Sequence, residues 1–138
     1  MIPEPHPTVA ALLALDLSTV TPCLLPRLSG RKAQAQAARA LFKRLDLKGI
    51  SVTVPTYSMA STVQIRLPHT PATREQQEEW NRVFSAGGDT EATEAGQIHA
   101  RRYQAEQAMN ALLDHAFPHH VDRSDPTTDY FDSRWSVA

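Results

Sequence analysis

The densest group of candidate metal ligands in the sequence lies near its carboxyl end. It consists of three histidines and three aspartates: His115, His119, His120, Asp122, Asp125 and Asp129. Two histidines four residues apart can bind one zinc ion from the same helix face, but Pro118 ends any helix between His115 and His119. The aspartates lack the spacing of a calcium loop, and roles in turns and at helix ends explain the whole group. We therefore expect no bound metal, and a metal-dependent enzyme is the least favoured of three functional interpretations.

Nucleophilic catalysis has equally little support in the sequence. The single cysteine, Cys23, lies between Pro22 and Pro26 with no catalytic motif around it. Neither Ser58 nor Ser61 lies in the Gly-x-Ser-x-Gly elbow of a hydrolase, and the sequence has no glycine-rich phosphate loop. We predict a protein that is not an enzyme and that needs no cofactor.

The charges are divided unevenly along the chain, although the net charge is only −1. Seven Lys and Arg residues against three acids give residues 1–48 a charge of +4, and residues 49–138 carry −5. A basic helix face can bind phosphates. The candidate residues for nucleic-acid binding are Arg31, Lys32, Arg39, Lys43 and Arg66. The alternative is a solvated helix face whose charges pair with the acidic half of the same domain.

The residue pattern divides the chain into an N-terminal arm, residues 1–28, and a single α+β domain, residues 29–138. The arm contains a short predicted helix over residues 8–17, followed by a proline-rich connection. Its start has no basic segment before the apolar run, and that run is too short to span a membrane. We therefore expect a cytoplasmic protein that does not associate with membranes.

Three longer helices are predicted from apolar residues at three- and four-residue intervals. They cover residues 29–47, a segment from Pro71 to the Gly87-Gly88 pair, and residues 97–116. Alternating apolar and polar residues predict a hairpin of two strands, residues 50–54 and 63–67. The aromatic and β-branched segment 129–137 predicts a C-terminal strand that joins the hairpin.

These elements predict a small antiparallel sheet covered by helices. The apolar phase of each element predicts its core residues. They are Leu41, Leu45, Ile50, Val52, Val54, Val63, Ile65, Trp80 and Phe84.

The hairpin region resembles a known domain family. Ile50-Ser-Val-Thr-Val, followed by Tyr57-Ser-Met-Ala-Ser-Thr-Val-Gln-Ile, is similar to the "xxSVxxxxYSxGSSVxV" hairpin of the large polyvalent protein-associated domain of the twenty-ninth type. The resemblance covers residues 32–84, and Ala60 stands where the family usually has Gly. The segment 122–132 is similar to the tail of stand-alone relatives. The resemblance implies an accessory protein of a phage or plasmid that acts against host defences, and it carries over no catalytic residues.

The leading functional interpretation is a protein-binding inhibitor of a host defence complex, of the anti-CRISPR kind. Its partner would be a host protein or ribonucleoprotein complex, contacted by the hairpin loop and the acidic tail. The candidate contact residues are Tyr57, Ser58, Met59, Ser61, Asp122, Asp125, Asp129 and Asp132. The second interpretation is a nucleic-acid-binding accessory module that uses the basic first long helix.

Overall fold

A computed structural model describes residues 4–26, 29–54, 62–120 and 135–138. The described residues contain four α-helices and three strands, and short 3-10 turns lie between some of them. The helices are α1 (Pro7–Leu13), α2 (Arg31–Arg44), α3 (Arg74–Ser85) and α4 (Glu94–Ala116). The strands are β1 (Ser51–Thr53), β2 (Val63–Arg66) and β3 (Trp135–Val137). The predicted α+β class is confirmed.

Helix α4 is the central element of the core. Ala105, Met109, Leu112 and Leu113 are fully buried on it, at intervals of three or four residues that place them on one face. This helix contacts α1, α3 and β3. The N-terminal segment joins the same core, because Val9, Leu12 and Val20 are buried in it.

The sheet has the strand order β1-β2-β3, with β2 in the centre. Strands β1 and β2 form the predicted antiparallel hairpin, with Val52 opposite Ile65. The predicted C-terminal strand is also present, but β3 runs parallel to β2, so the sheet is mixed instead of fully antiparallel. A parallel pair needs a long crossover connection, and the chain through α3 and α4 supplies it.

Two helices begin at residues that the sequence pattern did not indicate. Helix α3 starts after Thr73, whose hydroxyl accepts from the Gln76 backbone while the Gln76 side chain accepts from the Thr73 backbone. This capping box satisfies backbone donors at the helix start. Helix α4 starts after Thr93, which caps Gly96.

The predicted core is confirmed on α2 and the sheet. Leu41, Val52, Val63 and Ile65 are buried. Three more of the predicted residues are partly buried and pack against the core: Leu45, Ile50 and Val54.

The core prediction is wrong for α3. No residue of this helix is buried. Trp80 is half-buried, and 64% of the Phe84 side chain is exposed. Helix α3 packs against α4 and the 3-10 turn before it, whereas α4 also packs against α1 and β3.

Candidate interaction surfaces

The residues predicted to contact a protein partner lie outside the described part of the chain. This applies to the loop residues Tyr57, Ser58, Met59 and Ser61 and to the tail residues Asp122, Asp125, Asp129 and Asp132. Three other groups of side chains in the described residues bear on function: the α2 cations, the histidines at the end of α4, and aromatic residues on α3 and α4.

The predicted basic residues of α2 lie on its outer side. Gln34, Ala35, Ala38, Leu41 and Phe42 form its buried face. Lys32, Arg39 and Lys43 are exposed, and their spacing of seven and four residues places them along one strip of the helix. Arg44 is exposed beside them, and Arg66 is exposed on β2.

Two of the predicted basic residues also have contacts within the fold. The Arg31 guanidinium donates to the Gln34 side-chain oxygen at 2.7 Å. The Arg39 guanidinium donates to the Val52 backbone oxygen at 2.7 Å. Arg39 therefore joins α2 to β1 in addition to contributing charge to the surface.

The expected pairing of the α2 cations with the acidic half is not observed where the structure describes the chain. Within residues 4–26, 29–54, 62–120 and 135–138, Lys32, Lys43 and Arg44 form no ion pair with any carboxylate. Lys48 pairs at 3.7 Å with Asp46, which lies in the same basic segment. We name the three unpaired cations Lys32, Lys43 and Arg44 the basic strip.

Two of the three histidines considered as metal ligands hold the N-terminal segment against the end of α4. His115 Nε2 lies 2.8 Å from the Val20 backbone oxygen, and His120 Nε2 lies 3.0 Å from the Pro26 backbone oxygen. A carbonyl oxygen only accepts, so both Nε2 atoms carry a proton in these hydrogen bonds. His120 is fully buried, whereas His119 is exposed. Among the described side chains, no three His, Cys, Asp or Glu residues come together as a candidate metal site.

Trp80 of α3 contacts both Phe84 on the same helix and His99 of α4. The Phe84 and Trp80 rings stack with centroids 5.2 Å apart and planes 7° from parallel. The Trp80 ring meets His99 edge-on, with centroids 6.1 Å apart. Tyr103 lies one turn after His99 on α4 and is 62% exposed. We name Trp80, Phe84, His99 and Tyr103 the aromatic patch.

A hydrogen bond between helix starts fixes α3 against α4 and so positions the patch. The Gln76 side-chain nitrogen donates to a Glu94 carboxylate oxygen at 3.0 Å. This hydrogen bond is the largest of the causes that hold the pKa of the Glu94 carboxyl below its usual value. The sequence did not reveal the patch, because the four-residue spacing of Trp80 and Phe84 is the same whether the helix face is buried or exposed.

Comparisons with family models, curated proteins and solved structures return no match to this chain. In the described ranges, no helix has both the length and the apolar run that a membrane span requires.

Proposed function

We propose that the chain is a non-enzymatic accessory protein of a mobile genetic element, and that it binds a host defence complex and inhibits it in the manner of an anti-CRISPR protein. The resemblance of the hairpin motif to a phage and plasmid domain supports the biological setting. The aromatic patch is the structural observation that carries protein binding. The partner would be a host protein or ribonucleoprotein complex.

The patch has the composition of a protein contact surface. Aromatic side chains are enriched where proteins meet, and a few of them supply most of the binding energy. Packing among the described residues does not account for Phe84, because its one ring contact there is with Trp80 on the same helix. In this proposal the exposed rings of Phe84 and Tyr103 insert into pockets of the partner, and the hairpin loop and acidic tail supply further contacts.

Single substitutions in the patch test this proposal. We expect Phe84→Ala and Tyr103→Ala each to lower phage protection by about tenfold or more in a plating assay on a defence-positive host. Truncating a hot-spot side chain costs about 2 kcal/mol or more of binding free energy. Leu24→Ala is the matched control, because Leu24 is 70% exposed. Leu24 also lies near the opposite end of α4 from the patch, because the backbone N–H of its neighbour Cys23 donates to the Ala116 carbonyl. Patch variants that melt normally and still protect the phage fully would refute the proposal.

A second candidate function is nucleic-acid binding through the basic strip. It is favoured by one observation, the exposure of Lys32, Lys43 and Arg44 without ion pairs in the described ranges. Arg31, Arg39 and Arg66 would add charge around the strip.

Salt dependence separates the second function from the first. Each phosphate contact contributes about 0.9 to the slope of log K against log salt for duplex DNA. We expect the double variant Lys32→Gln/Lys43→Gln to lower that slope by about 2 for a short DNA duplex. Arg82→Gln on α3 is the control. Undetectable duplex binding by the unaltered protein at low salt would eliminate this candidate and leave the protein-binding proposal standing.

A further inference from the structure

A cleft of about 500 Å³ lies at the end of the fold where α1, α3 and α4 begin. The segment 67–73, between β2 and α3, also lines the cleft. This volume is within the range of sites that hold small molecules. Its lining includes three arginines and three histidines from four separate parts of the chain: His6, His69, Arg74, His99, Arg101 and Arg102.

The lining is strongly biased towards positive charge and hydrogen-bond donors. Glu4 is the single carboxylate among the described lining residues. Arg74 pairs with Glu78 at 3.1 Å and Arg102 pairs with Glu106 at 3.4 Å, and both arginines are at least half exposed. Exposed ion pairs of this kind contribute little to stability, so a bound anion can compete for the guanidinium groups. Each guanidinium also has five donors, and one carboxylate does not occupy them all.

Two of the histidines present defined ring nitrogens. His6 Nδ1 accepts from the Thr8 backbone at 3.1 Å, so Nε2 carries the proton of the neutral ring and can donate. His69 Nε2 is buried and has no hydrogen-bond partner among the described residues. A buried nitrogen without a partner is costly, and a polar ligand in the cleft satisfies it only once the ring or its neighbours move to expose the atom.

Part of the remaining lining is apolar. Val9, Leu67, Pro68 and Ile98 line the cleft beside the charged groups. A site with one cationic region and one apolar wall fits a molecule that carries a compact anion on a less polar body.

We propose that this cleft binds a small phosphate monoester. The phosphoryl group has three peripheral oxygens, and guanidinium groups from α3 and α4 with imidazoles from two further segments approach the cleft from several sides. A planar carboxylate needs only one bidentate arginine. The organic part of the ligand lies against Leu67, Pro68 and Ile98. This inference is independent of the proposed function, because the aromatic patch shares only His99 with the cleft.

Titration calorimetry with ribose 5-phosphate on the full chain tests the proposal. We expect saturable binding of ribose 5-phosphate, no binding of ribose, and weaker binding of inorganic phosphate, which lacks a body to contact the apolar wall. Arg102→Gln and His69→Gln should each weaken ribose 5-phosphate binding by about tenfold or more. Arg82→Gln on α3 lies outside the cleft and should bind as the unaltered protein does.

Three results would overturn the proposal. They are the absence of ribose 5-phosphate binding up to about 10 mM, equal affinity for inorganic phosphate, and unchanged affinity in both cleft variants. The partly exposed Arg102 provides a variant that remains informative if His69→Gln fails to fold. None of these outcomes depends on phage protection, so failure here leaves the proposed function untouched.

Discussion

The Arg39 side chain reaches the Val52 carbonyl, which faces the open edge of the sheet. The Ile65 carbonyl oxygen accepts from the Ala138 backbone N–H, so the polar backbone groups of Ile65 face β3. Val52 lies opposite Ile65 and is therefore a non-hydrogen-bonded position of the hairpin, whose carbonyl points away from β2. The guanidinium at 2.7 Å satisfies this carbonyl and protects part of an edge strand.

This contact makes Arg39 a stabilising residue as well as a surface charge. We expect Arg39→Gln to lower the free energy of unfolding by about 1 kcal/mol, the usual net value of a hydrogen bond. Lys43→Gln removes the same charge from the same helix and should leave stability nearly unchanged. Urea unfolding measures both. Equal effects of the two substitutions would show that the Val52 contact does not contribute.

A second prediction concerns the close approach of Gly96 to the 3-10 turn before α4. A Cβ atom at this position would collide with the Thr90 carbonyl oxygen, and that oxygen also accepts from the Thr93 hydroxyl at 2.5 Å. We expect Gly96→Ala to destabilise the protein by about 3 kcal/mol, since a backbone atom cannot move aside cheaply. Gly30→Ala has open space around it and should change stability by about 1 kcal/mol or less. Thermal melts that shift equally for both variants would contradict this prediction.

The sequence predicted the helices and strands better than it predicted how they pair and pack. Helix α2 and the hairpin follow directly from periodicity, and so does the buried face of α4. Periodicity of two also indicated β3, but it carries no information about strand direction, so the parallel pairing with β2 was not predictable. Segment 89–96 looks like a polar spacer in sequence. It contains the Asp89-capped turn and the Thr93 cap, which bring the start of α4 forward to Glu94.

The candidate surfaces were less predictable for a related reason. The cleft brings His6, His69 and His99 together from distant parts of the chain, and no local spacing signals that meeting. Trp80 and Phe84 have the four-residue spacing of a buried stripe, and only the packing of α3 shows that they are exposed. The basic surface of α2 was predictable from the sequence, because all of its basic residues lie on one helix.

A third prediction concerns pH. Burial is the main cause that lowers the pKa of His69 below 6.5, and the Arg102 charge lowers that pKa further. The unfolded chain therefore binds a proton at His69 at a higher pH than the folded chain does. The stability contributed by neutral His69 is present above the unfolded pKa and is lost as the pH falls towards the folded pKa.

The measurement is the free energy of unfolding between about pH 7.5 and pH 5, in the unaltered protein and in His69→Gln. We expect the unaltered protein to lose more stability over this window than the variant does. The other histidines are common to both proteins, so the difference between the two curves isolates His69. Parallel curves would mean that the His69 pKa is not lowered by folding.

The last prediction separates an anchoring role of His115 and His120 from a metal-binding one. His120 is fully buried and donates to the Pro26 carbonyl, and half-buried His115 donates to the Val20 carbonyl. Replacing either ring leaves a backbone carbonyl unsatisfied, at a cost of about 1–3 kcal/mol. We expect His120→Ala to be the more destabilising, because it also opens a cavity in the core, and His119→Ala at an exposed position to have little effect.

The anchoring role also predicts which part of the chain loses stability first in the histidine variants. Hydrogen exchange should increase first in residues 20–26, since these residues are held to α4 by the two histidines and by the Cys23 N–H bond to the Ala116 carbonyl. A zinc site would give a different pattern: His115 and His119 variants would lose a metal equivalent in elemental analysis, and a chelator would lower the melting temperature of the unaltered protein. We expect neither result, because no three His, Cys, Asp or Glu residues come together as a candidate zinc site among the described side chains.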